Sequence, residues 1–345
     1  MARNHFIALD THCGFSELAA VTQQGKLVRR DRCATNIPEL RDAIERIRRP
    51  RFLTFEEGPL ADWLARSLSC CVDRLLVCEP RRNRLVAREA DKDDPLDALR
   101  LAELFRGGYL KEVHQTLSLE RSLLKQQVCF YHDRVRERVR QGHQLVALFR
   151  RHGVFASVTA LADLEQRKDL WQQLPRDPHL HRNLHRQLSI YQMHVQQEDE
   201  IRSELITLAR RQEVVRRFTE LPGVAWIRGL TFYVFVDTPC RFDRKATLWR
   251  YCGIGLRRRR SGVGPTQTRL DHRGNRRLKD VLIGAAQSAI NQGDNPFAQK
   301  YHHWTQEEGM HRSAARRNVA RCLATTLWSL WKSGNRYDPA GGAEC

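Results

Sequence analysis

The N-terminal part of the chain alternates between short apolar segments and segments whose apolar residues recur at helical spacing. Three strand-like segments come first, "HFIALD", "ELAAVTQ" and "KLVRRDR". A helical segment with Ile37, Leu40, Ile44 and Ile47 on one face follows them. The pattern then predicts a strand in "RFLTFE", a helix in "PLADWLARSL", a strand in "RLLVCE" and a helix in "PLDALRLAELFRGG". Residues 1–110 are therefore predicted to form one α/β domain.

This order of elements is that of a ribonuclease-H-like fold, although other α/β domains share parts of it. Acidic residues stand at its strand ends: Asp10 ends the first strand and Glu56 the fourth, while Asp94 and Asp97 open a helix. Carboxylates brought together at strand ends are what two-metal phosphoryl chemistry requires, and Mg²⁺ prefers such oxygen ligands. Each acid alone also has a structural explanation, since "DPLD" is a good helix start and a strand-ending Asp is usually a turn residue. Their order along the chain favours a metal site.

Residues 111–218 carry apolar residues at helical spacing over much greater lengths. One long amphipathic helix is marked by apolar residues on a shared face: Leu117, Leu124, Val128, Tyr131, Val135, Val139, Val146 and Phe149. A second is predicted from Leu180 to Phe218. Two such helices with a connector are typical of a helical hairpin or coiled-coil arm. A plain helical-bundle domain fits the pattern equally well, so both interpretations remain open.

Residues 219–337 are predicted to form a third, mostly helical domain, and residues 338–345 a disordered tail. The domain begins with "LPGVAWIRGL", whose Pro-Gly turn resembles that of a helix-hairpin-helix, a motif that holds a DNA phosphate. Ala225 stands where such turns often carry a second glycine, so an ordinary helix connection is the better interpretation. The spacing of Trp328 and Trp331 favours core packing over stacking on nucleobases.

The chain is strongly basic, with 59 Lys and Arg against 40 Asp and Glu and a formal net charge of +19. Its natural partner is a polyanion, because Lys and Arg neutralise phosphates and release counterions. The charge is densest in residues 257–279, which hold nine basic residues and one acid, and Ser261 directly follows a run of four arginines. We expect this stretch to be a basic loop that binds nucleic acid through Arg257, Arg258, Arg259, Arg260, Arg269, Arg273, Arg276, Arg277 and Lys279.

No segment approaches the roughly 18 apolar residues of a membrane-spanning helix. The start "MARNHFIALD" lacks the features of a signal peptide. The ten cysteines contain no CxxC pair and are expected to be reduced thiols, mostly in the core. We therefore expect a cytoplasmic nucleic-acid-binding protein without a membrane partner.

Together these segments resemble the DEDD transposases of the IS110 family of insertion sequences (IS110/IS1111), the bridge-RNA-guided recombinases. "FIALDTHCGFSELAAV" resembles that family's first strand and hairpin, "TFEEGPLADWL" its E-x-G-P motif, and "KDDPLDALRLAELFRGGYL" its K-T-D-x-x-D-A-x-x-L-A motif. "LPGVAWIRGL", "RFDRKATLWRYCGIG" and "SGVGPTQTRLDHRGNRRLKDVLIGAA" are similar to its C-terminal transposase domain. The similar segments run along nearly the full chain.

The resemblance implies a RuvC-like domain in which Asp10, Glu56, Asp94 and Asp97 hold Mg²⁺. It also implies that Ser261, in a separate C-terminal domain, is the nucleophile that attacks a DNA phosphate and forms a phosphoserine intermediate. The two half-sites would be assembled between subunits of a homo-oligomer, a dimer to tetramer. A non-coding bridge RNA would pair with donor and target DNA. The expected function is therefore that of a DNA transposase.

"LDHRGN" departs from the family's usual Ser-Lys-x-Gly version, which affects the nucleic-acid contacts expected near Gly274. Two other functions remain open. A RuvC-like metal-dependent nuclease would hydrolyse DNA with water and use Ser261 only as a phosphate contact. A non-enzymatic nucleic-acid-binding protein would retain the basic surface on a degenerate nuclease fold, although the intact acids at all four matching positions speak against it.

Overall fold

The computed structural model describes residues 4–80, 94–259, 267–271 and 273–339. The chain divides into two compact units, Met1–Ser122 and Leu123–Cys345. The first contains a five-stranded sheet, and the second is mostly helical with one two-stranded sheet. Within these described ranges, no helix combines the length and the apolar character that crossing a bilayer requires.

The first unit is built on a mixed sheet, as predicted for an α/β domain. Its strands are β1 (His5–Thr11), β2 (Phe15–Thr22), β3 (Leu27–Ala34), β4 (Arg51–Glu56) and β5 (Arg74–Cys78). They lie in the order β3-β2-β1-β4-β5, with β1, β4 and β5 parallel and β2 antiparallel to both of its neighbours. The helices described in this unit are α1 (Ile37–Glu45), α2 (Ala61–Leu68) and α3 (Asp94–Arg106), and a 3₁₀ turn spans Ser69–Cys71. The element order predicted from periodicity is thus confirmed.

Alternation along β1 assigns its side chains to two separate cores. Ile7 and Leu9 belong to the core that α1 and α2 cover, whereas Phe6 and Ala8 belong to the core beneath α3. Paired residues of neighbouring strands share a face, so the same division extends across the sheet. Helices on both faces explain why β1 is a continuous apolar run in the sequence.

Two long helices follow and pack antiparallel as a helical hairpin. They are α4 (Leu119–Arg150) and α7 (Pro178–Arg211), joined through the short helices α5 (Val158–Ala162) and α6 (Leu164–Gln172). Val128 near the start of α4 shares a core with Ala209 near the end of α7. Phe149 at the end of α4 shares another core with Leu184 near the start of α7. The apolar faces of the two long helices therefore pack against each other within the chain.

The prediction of one continuous second helix as far as Phe218 is wrong. α7 ends at Arg211, and a separate helix, α8 (Glu213–Phe218), follows it. Gln212 between them has an extended backbone, with φ −91° and ψ 108°. The break redirects the chain so that Val215 and Phe218 are fully buried in the C-terminal core.

The C-terminal core surrounds one helix that is apolar on nearly every side. Its helices are α8, α9 (Trp226–Val236), α10 (Lys245–Tyr251), α11 (Arg276–Asn291), α12 (Pro296–His302) and α13 (Arg312–Ser333), with a 3₁₀ turn at Pro239–Arg241 and a π-helical turn at His303–Glu307. In α9 every residue from Gly229 to Val236 is buried, as expected for a central helix. Trp328 is buried and the Trp331 ring meets Phe218 edge-on, which confirms core packing for this pair of tryptophans.

The Pro-Gly turn before α9 packs against α11. Gly223 has a φ of +78°, and a Cβ at this position would lie 2.2 Å from the carbonyl oxygen of Ala285. Its amide donates a hydrogen bond to Gln292 Oε1 at 2.8 Å. Because that amide is used inside the protein, the turn is an ordinary helix connection and not a phosphate-holding hairpin.

A half-buried histidine, His132, joins α4 to α9. The Thr231 hydroxyl donates to the Ile227 carbonyl oxygen at 2.7 Å, so this hydroxyl accepts the hydrogen bond from His132 Nε2 at 2.9 Å. His132 therefore carries a proton on Nε2. Burial, followed by the positive charge of Arg277, lowers the pKa of His132 to about 4.

We predict that the stability of the folded protein falls as the pH is lowered from about 6.5 towards 4. The unfolded chain protonates His132 with a pKa of 6.5, whereas the folded protein resists protonation down to a pKa of about 4. The resulting loss is about 2 kcal/mol by pH 5. His132→Gln should flatten the pH dependence of the unfolding free energy between pH 7 and 5, measured by urea denaturation. The exposed His143 is a matched control, and equal flattening in His143→Gln would contradict the assignment.

Candidate functional site

Asp10 and Glu56 lie side by side at the carboxyl ends of neighbouring parallel strands. β1 and β4 pair in register as far as Leu9 with Phe55, and the two acids are the next residues of each strand. Alternation places both on the face of Ala8, which α3 covers. Since paired strands lie about 4.8 Å apart, the two carboxylates occupy one edge of the sheet.

α3 runs antiparallel to β1 across this face. Its last residue, Arg106, donates from Nη1 to the Gln23 carbonyl oxygen at 3.4 Å. Gln23 directly follows Thr22, which pairs with His5 at the start of β1, so α3 ends near the start of β1. α3 has 13 residues and packs on both β1 and β2, and a helix of that length spans about 20 Å. Its first turn, with Asp94 and Asp97, therefore lies towards the edge where Asp10 and Glu56 are found.

The side chains at this edge have polar neighbours. Asp10 Oδ2 lies 3.4 Å from His12 Nε2, and the His12 ring packs beside Phe15 with ring centroids 4.9 Å apart. Asp97 is 45% exposed and lies 3.6 Å from Arg100. Asp94 begins α3, but its side chain lies outside those the structure describes.

Carboxylate oxygens gathered at an accessible sheet edge suit a hard divalent cation such as Mg²⁺. Among the side chains that are described, no three His, Cys, Asp or Glu groups are placed so that they could hold a metal ion. The set Asp10, Glu56 and Asp97 is therefore not a complete ligand cage without Asp94. The metal site remains a prediction, to which the placement of the strands and α3 lends support.

Glu17 is a fifth acid at this edge, which the sequence motifs do not include. It pairs directly with Asp10 across the antiparallel ladder of β1 and β2, so the two side chains share a face. Its side chain is only 9% exposed, and Oε1 lies 3.5 Å from Arg32 Nε. Burying a charge is costly unless it is paired. A charged residue within the largely apolar strand "FSELAAV" is the signal in the sequence that could identify it.

The chain on both sides of Ser261 forms an antiparallel ribbon, β6 (Leu256–Arg259) and β7 (Gln267–Leu270). The prediction of a loop is therefore wrong for these residues, because their backbones pair. Arg257 and Arg269 stand directly opposite each other, and both are exposed. Like charges directly opposite destabilise a sheet, so the ribbon is electrostatically suited to an anionic partner.

The other residues predicted to contact nucleic acid differ in their exposure. Arg273 and Arg276 are exposed. Arg277 instead pairs with Asp133 of α4 at 2.7 Å, and Lys279 is half-buried, so both take part in packing within the unit. Four further predicted residues lie outside the description, either entirely or in their side chains: Arg258, Arg259, Arg260 and Ser261.

Asp271, the one acid of the basic stretch, directly follows β7. It lies at the end of the ribbon where Leu256 pairs with Leu270, which we call the base of the ribbon. Its amide donates to the Gly255 carbonyl oxygen at 2.9 Å. Burial opposes its charge, but the backbone amide and guanidinium of Arg273, together with Arg257, outweigh burial and lower the pKa of Asp271. An ionised Asp271 therefore offsets positive charge at the base of the ribbon.

Two glycines that pack against each other also hold the base of the ribbon in place. Gly274 lies against Gly253, whose φ is +69°, and a Cβ on Gly274 would be 2.2 Å from the Gly253 nitrogen and 2.5 Å from the Arg250 carbonyl oxygen. The amide of Asn275 donates to the Tyr251 carbonyl oxygen at 2.7 Å, and its side chain caps α11. Within "LDHRGN", Gly274 is thus explained by packing between backbones.

Residues 215–303 match the model of the transposase IS116/IS110/IS902 family. The match covers about a quarter of the chain and includes α9, the β6–β7 ribbon, Ser261 and α11. No match was found among curated proteins. The family match supports a DNA-processing enzyme of the transposase class. More particularly, it supports a transposase of the IS110 type, encoded by an insertion sequence.

We predict that Gly274→Ala destabilises the second unit by about 1–3 kcal/mol, because the added methyl group forces two backbone segments apart. The control is Gly284→Ala in α11, where a Cβ would meet nothing nearer than the flexible Arg228 guanidinium at 3.4 Å. Unfolding free energies from guanidinium titrations of the full chain measure both effects. A Gly274→Ala variant as stable as Gly284→Ala would show that the close approach is relieved without cost.

Proposed function

We propose that this protein is a bridge-RNA-guided transposase that cuts and rejoins DNA through a phosphoserine intermediate, with a RuvC-like first unit. The observation that carries the proposal is the pairing of β1 with β4, which brings Asp10 and Glu56 to the sheet edge that the start of α3 approaches. The family match over the basic ribbon and Ser261 supports it.

In this proposal Asp10, Glu56, Asp94 and Asp97 hold Mg²⁺ at the sheet edge. When bound, the metal ion polarises the scissile phosphate and offsets the charge of the transferring phosphoryl group. The carboxylates present hard oxygen ligands from two strands and one helix. Pairing of the two strands and packing of the helix hold these residues near one edge of the sheet.

Ser261 would act as the nucleophile. Its Oγ forms a bond to a DNA phosphorus as one backbone P–O bond breaks, the serine proton is lost, and the released strand end takes up a proton as a hydroxyl. A hydroxyl of a second strand then attacks the phosphoserine, joins to the phosphorus and releases Ser261. The phosphodiester energy is kept in the covalent intermediate, so no nucleotide hydrolysis is required.

The exposed arginines of the ribbon would bind the DNA backbone beside Ser261. Arg257 and Arg269 repel each other across the ladder, and a phosphate between or above them relieves that repulsion. Guanidinium groups also stabilise the negative charge that develops during phosphoryl transfer. Arg273 and Arg276, which are exposed near the ribbon's base, extend the same surface.

Guidance by a bridge RNA and assembly as a dimer to tetramer are further parts of the proposal, and both come from the family resemblance. The net charge of +19 suits a protein that binds DNA and RNA together. Sequencing the nucleic acid that co-purifies with the full chain tests the RNA: an RNA encoded beside the gene is expected. Absence of such an RNA would favour the second candidate, a RuvC-like nuclease that hydrolyses DNA with water.

We predict that Ser261→Ala abolishes both strand exchange and covalent protein–DNA adducts. The adduct is measured by denaturing electrophoresis of the protein with labelled DNA. Thr268→Ala, a hydroxyl loss in β7, should retain both activities. Strand exchange that persists in Ser261→Ala would overturn the phosphoserine mechanism, whereas cleavage without any adduct in the wild type would favour the hydrolytic nuclease.

We predict that Asp10→Asn removes divalent-metal binding and lowers DNA cleavage by at least about 100-fold, because a neutral amide is a poor Mg²⁺ ligand. Calorimetric titration with Mg²⁺ or Mn²⁺ gives a readout separate from activity. The control is Asp62→Asn in α2, which lies on the opposite face of the sheet. Unchanged metal binding and cleavage in Asp10→Asn would show that Asp10 is not a metal ligand, whereas the absence of cleavage by the unsubstituted protein would point to a non-enzymatic nucleic-acid-binding protein.

A further inference from the structure

The row of charged residues at the sheet edge extends beyond the four predicted acids. Asp10 pairs with Glu17 on β2, and Glu17 pairs with Arg32 on β3. Paired residues of antiparallel strands share a face, so Arg32 stands on the same side of the sheet as the acids. Two strand spacings, about 10 Å, separate the Arg32 backbone from that of Asp10.

The Arg32 side chain contacts two neighbouring residues, but most of it is exposed. Its Nε lies 3.5 Å from Glu17 Oε1, and its guanidinium carbon lies 3.8 Å from the centroid of the Phe15 ring. Cation–π contact and the ion pair together restrict the side chain. Yet 63% of the Arg32 side chain is exposed, against 9% for Glu17. Nε is the atom that approaches Glu17, so the Nη groups are the ones available for a ligand's oxygens.

The positions of the neighbouring acids explain why a positive charge at position 32 would help the edge to bind a phosphate. Glu17 lies directly beside Asp10, and two adjacent carboxylates repel each other and any approaching phosphate. Arg32 offsets the charge of Glu17 and adds a positive charge on β3. An ordinary surface ion pair would contribute only about 0–1 kcal/mol, which gives no reason to bury a glutamate within an apolar strand.

We propose that Arg32, positioned by Glu17 and Phe15, binds a phosphate of the DNA strand that lies across the acidic edge. This inference rests on the proposed function, since it assumes that the edge processes DNA. A guanidinium can donate two hydrogen bonds to one phosphate, which would orient the strand as well as attract it. Glu17 acts through Arg32 and is a positioning residue.

Arg30 provides a matched control on the same strand. It lies two residues before Arg32, on the same face, and is also exposed. Its partner across the ladder is Ala19, which carries no charge to hold the guanidinium. Both substitutions to alanine remove one positive charge from β3, so any difference between them reports the position of Arg32 and not the net charge.

The first experiment compares cleavage of a DNA duplex that spans one end of the element, at saturating DNA, in the full-length protein. Arg32→Ala should lower the cleavage rate by about 10–100-fold, Arg32→Lys should recover part of that loss, and Arg30→Ala should stay within about twofold. Glu17→Gln, which keeps the side-chain shape, should lower the rate less than Arg32→Ala does. Equal rates in Arg32→Ala and Arg30→Ala would overturn the proposal.

A second experiment identifies the contact by replacing single phosphates with uncharged methylphosphonates. At one phosphate, the effect of Arg32→Ala should disappear, because the two changes remove the same interaction and are not additive. Additive effects at every phosphate would overturn the contact. Asp10→Asn is run in parallel: if it also cleaves normally, the proposed function fails, whereas an inactive Asp10→Asn beside a fully active Arg32→Ala refutes only the role of Arg32.

Discussion

Parallel pairing of β1 with β4 is the interaction on which the site in the first unit depends. Parallel strands end at the same edge, so the register that joins Leu9 to Phe55 also brings Asp10 beside Glu56. The antiparallel partner β2 adds Glu17 to the same row. α3 covers one face and runs back along β1, which directs its acidic first turn towards that edge. Repulsion among these carboxylates is the cost of the arrangement, and a bound cation would remove it.

In the second unit, the basic ribbon depends on close contacts between backbone segments at its base. The ribbon that flanks Ser261 is tied at its base by Asp271 to Gly255 and by Asn275 to Tyr251. Gly274 permits this contact because it has no Cβ to separate the two segments. The base is thus fixed by packing and offset in charge by Asp271, while Arg257 and Arg269 are exposed.

Sequence periodicity predicted the order of strands and helices in the first unit correctly, because strands and helices covered by a core must repeat their apolar residues at fixed spacings. It failed where tertiary contacts override local pattern. The helix predicted to reach Phe218 breaks at Gln212, since the C-terminal core buries Val215 and Phe218 in a new direction. The loop predicted for the basic stretch is instead partly a ribbon, which the sequence does not reveal because β6 and β7 are short and consecutive arginines hide their alternation.

By itself the sequence determined the α/β character of the first unit, the two long helices, the four acids in motif order and the basic surrounding of Ser261. These are properties of residue type and spacing, which no partner strand alters. Only the tertiary structure decided that Glu17 and Arg32 join the row of Asp10, that Arg277 pairs with Asp133, and that Gly274 serves packing. Strand register and helix direction bring together residues far apart in the chain, and no local spacing records which of them will meet.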